Sequence, residues 1–409
     1  MPQQFFHITT VVVILTFAGF GQSQPVLAAG AAPSPPPKVC LDDVKCASTA
    51  ATVSSASGIK WHPGIYVFPG NYKCDSTARA DDFATIDQIA NNPNIKGIYF
   101  HWEWSCFEGD TPADYSAGFS RIDAYVAKLA PLGKKLMFGL WPMQWGSCTS
   151  ANSTNGFPNS GYVRLPAYIR NTQGWVSYCT PDQRIYTAAL WNSALMDRII
   201  ALSAAYAARY DSNPTVEMFE PHEESAGLSG QGAADFSWPV AQSQWDRFYA
   251  AAASQWTHTL IRNSLNWAGD NSWIRSEFDN KSRPGIIFGG ADSIPESIFQ
   301  VQANYIFRGL NPGNPANTSG TAHSGWTDLR GTHPWLSEVQ GGEIYGSATA
   351  QQLQDYAYNT MHMSYAIWMR QRWDGETSRY WATVWPLIST GNAPVYSTAC
   401  PKSWTCNTK

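Results

Sequence analysis

The chain has 409 residues, 14% of them aromatic and only 14% charged, with 19 Trp and a formal net charge of −4. Disorder needs high charge and few aromatics, and collagen or a coiled coil needs a Gly period or a heptad, so all three are excluded. The mildly acidic balance offers nothing to a nucleic-acid polyanion, and the Trp surplus beyond one core predicts an aromatic-lined groove.

Residues 1–29 contain no Asp, Glu, Lys or Arg, and Val11 to Phe20 form a short apolar run before Val26-Leu27-Ala28. This is expected to be a signal peptide, since about 20 apolar residues are needed to span a bilayer. The expected localisation is therefore secreted, extracellular or periplasmic, with no membrane partner. Residues 30–59 are a Pro-rich linker with a small Cys40–Cys46 loop, 60–392 one large domain, and 393–409 a tail closed by Cys400 and Cys406. Eight cysteines in an exported chain favour disulfides, and no Cys-x-x-Cys pair suggests zinc or redox chemistry.

Strand and helix signals then alternate. Gly64–Phe68 is a first strand, with a helix at Asp81–Ile89. Lys96–Trp104 is a second, followed by a helix with Ile122, Tyr125, Val126 and Leu129 on one face and Gly133 as its stop. Lys135–Pro142 is the third, and Arg184–Tyr210 a long helix. Val216–His222 is the fourth, with a helix at Gln244–Ile261. Ser264–Trp267 is a weak fifth strand, Gly285–Gly290 the sixth, Trp335–Gln340 the seventh and Ser364–Met369 the eighth, after a helix near Ala350–Met361. Eight apolar strands separated by helices predict an α/β fold, a single (β/α)8 TIM barrel. A doubly wound sheet is the alternative, without a Gly-x-Gly-x-x-Gly turn to support its dinucleotide-binding form.

In such a barrel the C-terminal strand ends share one rim, and the rim holds the chemistry. Here it gathers His101, Trp102, Glu103, Trp104, Trp141, Trp145, His222, Asn266, Trp267, Asp292, Gln340 and Trp368. Indole faces pack on sugar C–H faces, while carboxylates, amides and imidazoles hydrogen-bond hydroxyls. Asp292 has the alternative of capping the following helix near Pro295. Trp191, Trp245 and Trp256, in predicted helices, belong to the core. No phosphate loop, His-Glu-x-x-His zinc motif or Gly-x-Ser-x-Gly elbow is present, so no cofactor or metal is expected. Two carboxylates facing each other are the minimal equipment for glycosidic cleavage. Glu223 after strand four and Glu338 on strand seven are the candidate pair. Glu220 and Glu224 rival the first because a one-residue register slip flips the face, and Glu343 rivals the second.

Gly97-Ile98-Tyr99-Phe100-His101-Trp102, the later Glu108-Gly109, Phe119-Ser120-Arg121-Ile122-Asp123 and Gly133-Lys134-Lys135-Leu136 resemble the second βα unit of the clan A glycoside hydrolases. The resemblance extends in architecture over most of residues 60–390. It implies a retaining double displacement on a β-linked oligo- or polysaccharide, with Glu223 as acid/base and Glu338 as nucleophile. The clan usually has Asn before the acid/base; here that place holds His222, which would replace the amide as a donor or be structural. The other readings are a barrel that binds carbohydrate without catalysis, and an exported protein of other function with scattered carboxylates. The barrel also suggests sequential disulfides, Cys40–Cys46, Cys74–Cys106, Cys148–Cys179 and Cys400–Cys406.

Overall fold

The chain divides into 1–53 and 54–409, and the computed structural model describes, within the second unit, residues 58–142, 165–178, 186–227, 232–265, 269–280, 283–290, 292–295, 301–312, 320–339, 348–370 and 378–409. Eight strands line one sheet: β1 (Gly64–Phe68), β2 (Ile95–Glu103), β3 (Lys135–Trp141), β4 (Val216–Glu220), β5 (Leu260–Ser264), β6 (Ile286–Gly289), β7 (Leu336–Val339) and β8 (Tyr365–Met369). Each is followed by a helix: α1 (Ser76–Ile89), α2 (Ser116–Leu129), α3 (Ser193–Tyr210), α4 (Trp238–Gln255), α5 (Asn271–Asn280), α6 (Gln302–Phe307), α7 (Ala350–Asp355) and α8 (Ser378–Ser389).

All pairings in this sheet are parallel, in the order β7-β8-β1-β2-β3-β4-β5-β6. Bridges Phe288–Trp335 and Asp292–Glu338 link β6 to β7, and the Ser293 N–H donates to the Glu338 carbonyl at 2.8 Å. The barrel is thereby nearly closed, and the expected (β/α)8 architecture is the observed one.

Alternation along each strand divides the apolar residues into two layers. Ile98, Phe100 and Trp102 of β2, Leu136, Phe138 and Leu140 of β3, and Ala366 and Trp368 of β8 pack outward against the helices. Tyr66, Phe68, Tyr99, Met137, Met218, Leu260, Ile287, Leu336, Tyr365, Ile367 and Met369 fill the inside. The helices start where side chains satisfy their free N–H groups. Asp75 accepts from Ala78 at α1, Asn192 from Ala194 and Leu195 at α3, and Thr349 with Gln352 forms a capping box at α7.

Three predicted boundaries are corrected. The helix expected to reach Ile261 ends at Gln255, with Trp256 in extended backbone (φ −105°, ψ 96°). The β-branched Thr257, Thr259 and Ile261 suit a strand better than a helix, so β5 starts at Leu260, four residues before the predicted Ser264. The helix expected from Arg184 starts at Ser193, because Asn192 caps it, and Tyr186–Ala188 pairs antiparallel with Val176–Tyr178.

The N-terminal mouth of the barrel is closed by the tail. Ile59–Lys60 pairs with Cys406–Asn407, and the Trp61 ring meets Trp404 edge-on at 5.5 Å and Tyr365 at 5.2 Å. The Trp61 indole N–H donates to the Thr398 carbonyl at 3.0 Å. Just inside, buried Glu217 accepts from the His62 N–H and the Tyr365 hydroxyl at 2.8 and 2.7 Å and pairs with His62 Nδ1. Burial alone would raise the Glu217 pKa, but these hydrogen bonds and the His62 charge outweigh it and hold it low.

Two expected disulfides are present: Cys74–Cys106 joins the loops after β1 and β2, and Cys400–Cys406 closes the tail. The expected Cys40–Cys46 and Cys148–Cys179 pairs lie outside the described residues, as does the expected signal peptide. Among the described residues no helix is long and apolar enough to cross a membrane.

Candidate active site

Five acidic side chains come from the ends of β4, β6 and β7. β4 ends at Glu220, and Pro221 has no N–H with which to continue the ladder. His222 follows at φ +132°, a backbone region that residues with a side chain rarely enter. Such a conformation costs about 1–3 kcal/mol and persists where surrounding structure imposes it. Beyond this twist Glu223 bridges to Ser264 of β5, and the Glu224 N–H donates to the Ser264 carbonyl at 3.2 Å. Glu224 then turns outward, where the Tyr249 hydroxyl of α4 donates to its Oε1 at 2.6 Å. Burial lifts its pKa well above the ordinary carboxylate value, against the Tyr249 hydrogen bond. Alternation therefore sends Glu223 to the inner side.

The centre of the barrel is held by Arg262 of β5. Its Nη1 donates to Glu220 Oε2 at 2.9 Å and to Glu338 Oε1 at 3.1 Å, and its Nη2 donates to the Gly290 carbonyl at 2.9 Å. Two oxygens held at those distances from one nitrogen are at most 6.0 Å apart. The Tyr99 hydroxyl of β2 donates to the same Glu220 Oε2 at 2.7 Å. Burial and the nearby Glu220 and Glu338 charges keep Tyr99 protonated. Burial disfavours the Arg262 cation, but the Glu220 and Glu338 carboxylates outweigh it and raise its pKa. Small residues make the space. A Cβ at Gly289 would stand 2.1 Å from the Leu336 carbonyl oxygen and 3.2 Å from Arg262 Nε; one at Gly139 would stand 3.1 Å from both Glu220 Cβ and His101 Cδ2.

Exposure separates two tiers. Glu220 and Arg262 are 0% exposed, whereas Glu223 is 8%, Asp292 6%, Glu338 5%, and Glu103 and Trp141 4% exposed. Ser264, which Glu223 bridges, is two residues rimward of Arg262 on β5, about 7 Å along the strand. Glu223, Glu338, Asp292, Glu103 and Trp141 thus form the upper tier, above a buried Arg262–Glu220–Tyr99 base. Asp292 is pushed up to about 8 by burial and by the Glu338 charge, against the opposing Arg262 charge, so it is largely protonated at neutral pH.

His101 and His222 form a second buried unit. His101 Nε2 lies 2.7 Å from the Leu140 carbonyl, which can only accept, so that nitrogen carries the proton. His222 Nδ1 lies 3.3 Å from the same nitrogen and takes the acceptor role, which assigns the His222 proton to Nε2. That N–H is buried and has no hydrogen-bond partner among the described residues. Burial brings His101 down to about 4 and His222 well below its ordinary value, so both rings are neutral.

Trp141 closes this side, with its ring 4.7 Å from His101, 5.1 Å from His222 and 4.7 Å from half-buried Tyr72. Three predicted rim indoles are corrected. Trp102 and Trp368 are fully buried in the outer layer because they fall on the outward parity of β2 and β8. Trp104, in the short turn after β2, is fully buried with its N–H donated to Glu108 at 2.9 Å. His101, predicted to touch substrate, lies beneath Trp141 with 1% exposure and serves His222. The expected core residues Trp191, Trp245 and Trp256 are buried. Trp145, Asn266, Trp267, Gln340 and Glu343 lie outside the described residues. Among the described residues no group of three His, Cys, Asp or Glu could hold a metal ion.

Sequence reasoning missed Arg262, Tyr99 and Tyr72. The signal for Arg262 was the run Leu260-Ile261-Arg262-Asn263-Ser264, whose inward parity places a lone guanidinium between Leu260 and Ser264. Tyr99 shares the inward parity of His101. Nothing local marks Tyr72, which stands in a loop.

No family model matches the chain, and no curated protein matches it. Similar solved structures include a GH5_18 protein from Streptomyces cattleya in complex with GlcNAc, 11% identical over 76% of this chain and 71% of that one, TM-score 0.46. A second is endo-glycoceramidase II from Rhodococcus sp. as a lactosyl-enzyme intermediate, 13% identical over 80% of both chains, TM-score 0.46. A third is β-mannanase from the blue mussel Mytilus edulis, 10% identical over 84% of this chain and 99% of that one, TM-score 0.48. None of these three exceeds 13% identity or a TM-score of 0.48.

Proposed function

We propose that this chain is an exported glycoside hydrolase that cleaves a β-linked oligo- or polysaccharide by retaining double displacement. The observation that supports it most is the two-tier site: Glu223 and Glu338, from β4 and β7 of one barrel, keep 8% and 5% exposure above a fully buried cation. Glu338, paired with Arg262, attacks the anomeric carbon while Glu223 gives its proton to the leaving oxygen as the glycosidic C–O bond breaks. Water then attacks the glycosyl ester, gives its proton to Glu223, and releases Glu338 as a carboxylate. Trp141 and Tyr72 offer aromatic faces to the sugar. The Asp292 carboxyl and Glu103 offer hydrogen bonds to its hydroxyls, while the fully buried His222 holds the turn before Glu223. Asn266, Trp267, Trp145 and Gln340 remain proposed contacts on sequence grounds, as do the signal peptide and export, with which the two disulfides agree.

Reducing-sugar release across a polysaccharide panel, with the product anomer followed by NMR, tests this. Glu223→Gln and Glu338→Gln should each lower kcat by about 10³-fold or more with the fold intact. Wild-type turnover in both, or an inverted product, would sink the mechanism. The second reading, a barrel that binds glycan without cleaving it, is favoured by His222 in place of the clan's Asn. It predicts glycan binding by the wild type with no reducing ends released.

A further inference from the structure

Resting on that reading, we infer that Glu220 is a positioning residue that sets the reactivity of Glu338 by competing with it for one guanidinium nitrogen. The geometry is a single Arg262 Nη1 donating to both carboxylates, at 2.9 Å to Glu220 and 3.1 Å to Glu338, with neither Arg262 nor Glu220 in contact with solvent. A nucleophile bound to a cation of its own would be stabilised in the ground state and slow to attack. Divided between two carboxylates, the cation holds Glu338 in place while stabilising it less. The division also serves the covalent step. When Glu338 forms its bond to the anomeric carbon its negative charge is consumed, and an Arg with no other partner would be left as an uncompensated buried charge. Glu220 keeps Arg262 paired throughout.

Tyr99 adjusts the division, because its hydroxyl donates to the same Glu220 oxygen that Arg262 binds. Among the described residues, the other charged or titratable groups facing the pair include Asp292 of β6, largely protonated at neutral pH, the neutral His101 of β2, the neutral His222 after β4, and Glu224, whose pKa burial raises.

The two partners of Glu220 give tests of opposite sign. Glu220→Gln removes the competing charge, so Arg262 serves Glu338 alone. The acidic limb of kcat/KM should then fall by about one pH unit, and glycosylation should slow about tenfold. Tyr99→Phe leaves Glu220 drawing harder on Arg262, so the acidic limb should move to higher pH. The carboxyl titration of Glu338, followed by 13C NMR in labelled protein and assigned by its loss in Glu338→Gln, should shift in the same two directions. That readout needs no turnover, so if the wild type cleaves no glycan the proposed function fails separately. Unchanged Glu338 titration in both variants, or shifts of the same sign, would overturn the competition. So would a Glu220→Gln defect beyond about 10³-fold that an activated aryl leaving group restores, because Glu220 would then be the acid itself.

Discussion

His222 is where backbone and chemistry meet in one residue. Its φ of +132° turns the chain after Pro221 so that Glu223 and Glu224 part, one toward the barrel and the other to Tyr249. At ordinary sites Ala is more stable than Gly, because Gly gives the unfolded chain more freedom. Here the order should reverse. His222→Ala and His222→Gly leave nearly the same cavity, but only Gly adopts this φ freely. The Gly variant should therefore be more stable than the Ala variant by about 1 kcal/mol or more, as read from paired urea melts. Ala equal to or above Gly would mean that the backbone stores no strain there. Both should lose activity, since each lacks the ring that packs against His101 and Trp141 beneath Glu223.

At the scale of a single strand, parity decides function. β2 carries Trp102 outward against Phe100 and Tyr125 and His101 inward toward Trp141. Trp102→Ala should cost about 3–5 kcal/mol of stability, whereas Trp141→Ala should act mainly on KM and leave more of the melting temperature intact. A large rise in KM with unchanged stability in the Trp102 variant would place that indole in the groove instead. The same parity explains what was legible beforehand. Strand existence follows from apolar runs, so seven of the eight strands were readable from Gly64–Phe68, Lys135–Pro142 and their counterparts, while the fifth was placed four residues late because its start reads as helix. Facing depends on register, and a strand such as Phe100–Glu103 is hydrophobic on one face and functional on the other, so an indole at its end marks neither. Arg262 escaped notice because the Ala-rich run before it, Ala250 to Ala253, reads as helix, and its partners Glu220 and Glu338 are 42 and 76 residues away. Pairings over such distances are properties of barrel closure rather than of local pattern.

For the whole molecule, the tail is part of the barrel. The Cys400–Cys406 bridge stabilises the strand that pairs with Ile59–Lys60 and backs Trp404 against Trp61. Its loop is short, with a sequence separation of 6, so replacing both cysteines with Ser should cost about 2 kcal/mol by chain entropy. That loss is measurable as a lowered melting temperature, with kcat little changed because the floor is remote from Glu338. A collapse of kcat at temperatures where the variant stays folded would show that the floor governs the rim.

The same plug seals the base of a barrel whose interior is already filled by side chains, so the candidate site opens at the rim, opposite that base. Lys409 is exposed on the closed base. A resin or scaffold joined to that lysine would therefore leave the opening facing outward, unobstructed by its own anchor.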